Sequence, residues 1–330
     1  KGTGAAGYAR STGLGYQALK GLTTGDDNIG IGYLAGYQLE GGHSNTIIGS
    51  YAGDGATSIS GSVFVGYNAG GTVTGGNDNI AIGNDAMNGG SVTGDNNIAI
   101  GVSTLDATTS GYNNIGIGLD ALGGLTTGHH NTAVGYQAMS TGTITDSSGN
   151  YNTALGYRAM KAVTTGFSNT AIGAMAMGEY TVTGQYNVAV GYQANKVLTS
   201  GGYNIMIGMR AGELTDGSYG NQIFIGRQTG QYAGQSPGTL DNSNLLIGGF
   251  AGAAIRSQKS NTLVGFNSMK LGGTALNTTA SYVTTLGFNA GFYTTGSYNT
   301  FIGADAGKGG TTSAPYSSGQ YNTAVGYQAL

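Results

Sequence analysis

The chain has 330 residues, with 66 glycines, only 2 prolines, no cysteine, no tryptophan, and 12 basic against 15 acidic side chains. Glycine without a three-residue period or abundant proline excludes collagen, the lack of cysteine excludes disulfide frameworks and thiolate metal sites, and 39% hydrophobic residues with 22 tyrosines do not fit a disordered chain. No apolar run reaches the roughly 18 residues of a membrane-spanning helix, and so few basic residues form no patch for nucleic acid.

Nearly the whole chain repeats one unit. With Asn131 to Met139 (NTAVGYQAM) as template and its glycine as anchor, matching glycines follow in order. They are Gly15, Gly32, Gly49, Gly66, Gly83, Gly101, Gly118, Gly135, Gly156, Gly173, Gly191, Gly208, Gly226, Gly248, Gly265, Gly287, Gly303 and Gly326. Most are 17 or 18 residues apart. The residue before the anchor (−1) is Ile, Val or Leu in all 18 units, and −3 is Ile, Val, Leu or Thr. Position +3 is Ala in 15 of 18, and +4 is mostly Leu, Met or Gly. Alternation of side chains along a strand puts −3 and −1 on one face and −2, small in some units and large in others, on the opposite face. This pattern predicts a short strand before each anchor, covered on both faces and tightly on the −2 side. The anchor glycine is expected to permit a close backbone approach or a bulge. Turn signals such as Leu22-Thr23-Thr24-Gly25 and Val163-Thr164-Thr165-Gly166 separate the units. Frequent glycine and the absence of a 3.6-residue period argue against helix.

A unit this short cannot close a core alone, so units must stack. The expected fold is all-β, a stacked β-roll or β-solenoid of about 18 rungs. One array spans 1–330, and because it stops within a unit it is expected to be a piece of a longer protein. Position −4 is Asn at residues Asn28, Asn45, Asn79, Asn97, Asn114, Asn131, Asn152, Asn169, Asn187, Asn204, Asn244, Asn261, Asn299 and Asn322. Residues recurring at this frequency are framework, with amides bonding along a column or to turn backbones. The little apolar material per rung favours a parallel homotrimer in which three chains pool their aliphatic columns.

Deviations from the repeat are where specific contacts are expected. The intervals ending at Gly156, Gly248, Gly287 and Gly326 are long, and the extra residues should form loops; Gln231, Pro237 and Pro315 in two of them are candidate receptor contacts. Tyrosine recurs at +1, for example Tyr16, Tyr33, Tyr136 and Tyr157. It recurs at −5 as Tyr151, Tyr186, Tyr203, Tyr282, Tyr298 and Tyr321. These −5 rings are either a packing ladder or a platform for sugar rings. Charge divides the chain into an acidic, shaft-like part at 21–157, which has no Lys or Arg, and a basic, tyrosine-richer part at 158–330, expected to face an anionic envelope. His129 and His130 are adjacent in a turn and do not make a metal site. Gly2 to Gly7 matches a dinucleotide fingerprint only by letter, because no βαβ pattern follows. No cofactor, catalytic residue or metal is expected.

Units such as NTAVGYQAM, NIAIGNDAM (Asn79 to Met87) and NTFIGADAG (Asn299 to Gly307) resemble the repeats of phage tail-fibre proteins, and are similar to the shorter head repeats of trimeric autotransporter adhesins. The resemblance covers about residues 11–330 and implies a trimeric left-handed β-roll. It implies a structural and adhesive role without enzymatic activity: a phage tail fibre contributing to host-receptor attachment, on the virion or outside the cell, with a host glycan or protein as partner. The other class it implies is a bacterial cell-surface adhesin or extracellular filament. Ice binding would need an uninterrupted threonine column at −3, which Ile29, Ile80 and Ile98 break.

Overall fold

The computed structural model describes residues 10–141, 150–178, 180–214, 220–233, 243–255, 259–270, 280–309 and 318–330. These contain strands and turns and no helix. The chain divides into two units, Lys1–Phe167 and Ser168–Leu330. Each is a parallel β-solenoid of nine three-residue strands: β1 (Thr12–Leu14) to β9 (Thr153–Leu155) in the first unit, β10 (Thr170–Ile172) to β18 (Thr323–Val325) in the second. Every strand occupies positions −3 to −1. Successive strands pair in register, as in Ile115↔Thr132, Gly116↔Ala133 and Ile117↔Val134.

The anchor glycine explains the period. At Gly118 the backbone takes φ +125°, and a Cβ built there would lie 2.7 Å from the carbonyl oxygen of Gly135 in the next rung. Both the torsion and the close approach require glycine, and the other anchors share the torsion. The approach lets each anchor N–H donate to the −1 carbonyl of the preceding rung, as Gly135 N does to Ile117 O at 2.8 Å. Residues at −5, +2 and +4 also have positive φ, for example His130 (59°), Gln137 (51°) and Met139 (51°) around Gly135. Each left-handed non-glycine residue costs roughly 1–2 kcal/mol. Rung-to-rung hydrogen bonds hold these corners: Gln137 N donates to Leu119 O at 2.9 Å, and Leu122 N to Ala138 O at 3.0 Å.

The interior is built from −2, +3 and +4. Position −2 is fully buried at Ile47, Phe64, Ala81, Ala99, Phe224 and Leu246, and +3 is buried at Ala35, Ala86, Ala138 and Ala211. The variable sizes at −2 and +4 compensate one another. Where −2 is large, +4 is glycine in all units but one: Ile47 with Gly53, Phe64 with Gly70, Met206 with Gly212, Phe224 with Gly230, Leu246 with Gly252, Phe301 with Gly307; Leu263 with Met269 is the exception. Where −2 is alanine, +4 is usually Leu or Met: Ala81 with Met87, Ala99 with Leu105, Ala154 with Met160. A Cβ on Gly70 would stand 2.7 Å from the Phe64 ring, so one side chain fills the space the other leaves open.

The aliphatic −1 column does not join this core. It faces outward, with exposures of 36% at Ile82, 37% at Ile117 and 46% at Leu155 in the first unit, and 51% at Leu286 in the second. The expectation that each strand is covered on both faces is therefore corrected. Within one chain only the −2 face is fully covered, because the +3 and +4 residues of the rung pack against that side alone.

Candidate interaction surface

The asparagines at −4 form a buried ladder. In the first unit Asn114 Nδ2 donates to Gly128 O at 2.9 Å and to Asn97 Oδ1 at 3.1 Å. Its own Oδ1 accepts the Asn131 backbone N–H at 3.0 Å. The same pattern links Asn28 to Asn45, Asn79 to Asn97 and Asn131 to Asn152. In the second unit it links Asn169 to Asn187, Asn187 to Asn204, Asn244 to Asn261 and Asn299 to Asn322. Gln222 continues the column by accepting from Asn244 at 3.1 Å. Ser62 keeps the contact with Asn45 on one side and Asn79 on the other. The ladder lies next to the left-handed corner at −5, whose exposed side chains face outward; the corner persists at Tyr282 (φ 60°), where Val283 interrupts the asparagines.

The −5 aromatics consequently stack. Tyr282 and Tyr298 lie 5.1 Å apart between ring centroids, nearly parallel at 7°. Tyr298 and Tyr321 lie 5.0 Å apart at 6°, and Tyr186 and Tyr203 5.0 Å apart at 23°. Tyr151 stacks on His130 at 5.0 Å. All six −5 tyrosines are exposed. Their faces turn to each other along the column, and edges and hydroxyls face solvent. A second column runs at +1, with Tyr16 on Tyr33 at 5.3 Å and Tyr136 on Tyr157 at 5.4 Å.

Gln231 is placed differently from the tyrosines. It is buried, donating Nε2 to Glu213 at 2.7 Å and accepting from Gln228 at 3.1 Å. Pro237, Pro315 and most of the expected loop residues lie outside the described residues.

Three features escaped the sequence reading. Phe266 and Phe288 stack at 6.0 Å in the +1 column, and Phe250 beside them lies under Arg227 and Lys270, whose cationic groups are 4.5 and 4.0 Å from its ring centroid. Counting aromatic residues at +1, rather than tyrosines alone, would have found Phe266 and Phe288. Next, +2 is polar in most units: Gln137 donates to Asp120 at 3.2 Å and Arg158 to Gln137 at 3.0 Å. In the second unit Asp305 is held below the ordinary carboxylate range, first by the hydrogen bond from Asn289 at 3.0 Å and then by Lys308. Finally, His129 stacks on Tyr112 at 4.5 Å, and its Nε2 lies 2.9 Å from Nδ2 of the buried Asn150.

Among the described residues no three His, Cys, Asp or Glu side chains gather as metal ligands, and no helix is long and apolar enough to cross a membrane. No protein-family model matches the chain, and no curated protein matches it significantly.

Proposed function

We propose that the chain is a structural segment of a fibre, of the phage tail-fibre kind, that assembles as a parallel homotrimer and contributes to host-receptor attachment. The observation that carries this reading is the outward −1 column. Ile, Val or Leu occupies it in all 18 units, and it stands half-exposed along each solenoid. A continuous apolar stripe of this kind marks an interaction surface. A second copy supplies a matching stripe at the same rung spacing. The flanking aromatic ladders and the basic character of 158–330 suit contact with an anionic cell envelope.

Sedimentation and native mass spectrometry test the assembly. The expected mass is three times 33.0 kDa. Ile117→Asp should abolish it, because a carboxylate enclosed at the pooled column is desolvated once per chain. Attachment to host cells should weaken as salt rises, through screening over a Debye length of about 8 Å. Attachment indifferent to salt would remove the electrostatic part of the proposal.

A further inference from the structure

The −5 ladders place phenol rings on adjacent rungs in near-parallel contact, open to solvent. The chain has no tryptophan and no cysteine, the side chains that otherwise compete for one-electron oxidation, and it has 22 tyrosines. It also has no disulfide with which to tie one rung to the next. We propose that Tyr282, Tyr298 and Tyr321, together with the pair Tyr186 and Tyr203, are sites of oxidative cross-linking that join rungs of one chain covalently as dityrosine.

The oxidant is a haem peroxidase with hydrogen peroxide. Each of two phenols gives up one electron and one proton, becoming a phenoxyl radical. The radicals couple through a ring carbon ortho to each oxygen, forming one carbon–carbon bond. Each coupled carbon then loses its hydrogen as a proton and each oxygen regains one, restoring both phenols. The two electrons and two protons reduce one peroxide to two waters. Geometry selects the partners. Centroid spacings of 5.0 and 5.1 Å bring the ring carbons of neighbours close, and the corners at φ 60–61° hold all three C-terminal rings on one line. Tyr180 is also exposed but stacks on no ring among the described residues, which makes it an internal control. A link between rungs closes the loop of chain that separates them and so restricts the unfolded ensemble, as a disulfide does.

The test treats the dilute full chain with peroxidase and a limited amount of peroxide, digests it, and maps peptide pairs joined with loss of two hydrogens. Links 282–298, 298–321 and 186–203 should exceed links to Tyr180 by roughly tenfold or more, through proximity. Tyr298→Phe keeps the stacked ring but removes the phenol. It should eliminate both C-terminal links and leave 186–203 intact, while the cross-linked wild type melts at a higher temperature. The proposal is overturned by the same link pattern in urea-unfolded chain, by links only between separate chains, or by tyrosine consumption without any of the three links.

Discussion

Ala154 and Leu155 are neighbours in β9 and belong to different regions of the molecule. Ala154 is sealed inside the solenoid, whereas Leu155 looks out beside Thr153. The inner column tolerates Gly, Ala, Thr, Met, Leu, Ile and Phe, and the outer column only Ile, Val and Leu. Interior positions vary because most have a compensating partner at +4 in the same rung, as Phe64 has Gly70 and Ala81 has Met87. The outer column has no partner inside its own chain, and a stripe meant to meet another stripe must be apolar in every rung. Under the proposed assembly, the uniform outer column is the surface through which copies of the chain meet.

The largest effect expected from breaking the inner region is at an anchor. Gly118→Ala should destabilise the first unit by at least about 3 kcal/mol, since torsion and clash act together. Chemical denaturation followed by circular dichroism measures it. Phe64→Ala should remove about 3–5 kcal/mol by leaving a cavity. Adding Gly70→Met recreates the Ala81 and Met87 pairing and should recover more than 1 kcal/mol as a coupling between the two changes. Purely additive losses would show that the compensation rule is wrong. Ile82→Ala, on the outer face, should alter the unfolding of the separated chain by about 0.5 kcal/mol or less.

Asn114→Ala should lose about 1–3 kcal/mol, because Gly128 O and the Asn131 N–H are left unpaired in the interior. A further small change is electrostatic. The Asp106 carboxyl is pushed up from the ordinary value, chiefly by burial and then by Asp120 and Asp85. Its folded pKa lies above the unfolded one, so its contribution to stability is full below the unfolded value and is lost as pH rises through the folded value. Asp106→Asn should be more stable than the wild type near neutral pH by about 0.5 kcal/mol, a figure discounted for partial exposure. The two proteins should converge in acid, as thermal melts at two pH values will show.

The strands, turns and asparagine column were legible because each depends on local residue chemistry recurring at fixed spacing. Which strand face is interior was not legible from hydrophobicity: Ile117 is more apolar than Ala133, yet Ala133 is inside. The deciding signal was the pairing of −2 with +4, which is visible in Phe64 with Gly70 and Ala81 with Met87 only when the two positions are read together. The left-handed corners were hidden because Tyr298, Met139 and Arg158 occupy them, and none is a residue type that favours that region. The stacking of the −5 tyrosines follows from those corners, so it was open to two readings until the corner was known.

Sedimentation of the wild type beside Ile117→Asp and Ala133→Asp tests the division between the faces most directly. The wild type should run as a folded trimer of 33.0 kDa chains. Ile117→Asp should lose the trimer mass, and Ala133→Asp should lose the strand signal of the first unit. A wild type that is a folded 33.0 kDa monomer, with Ile117→Asp indistinguishable from it, contradicts the assembling role of the outer column.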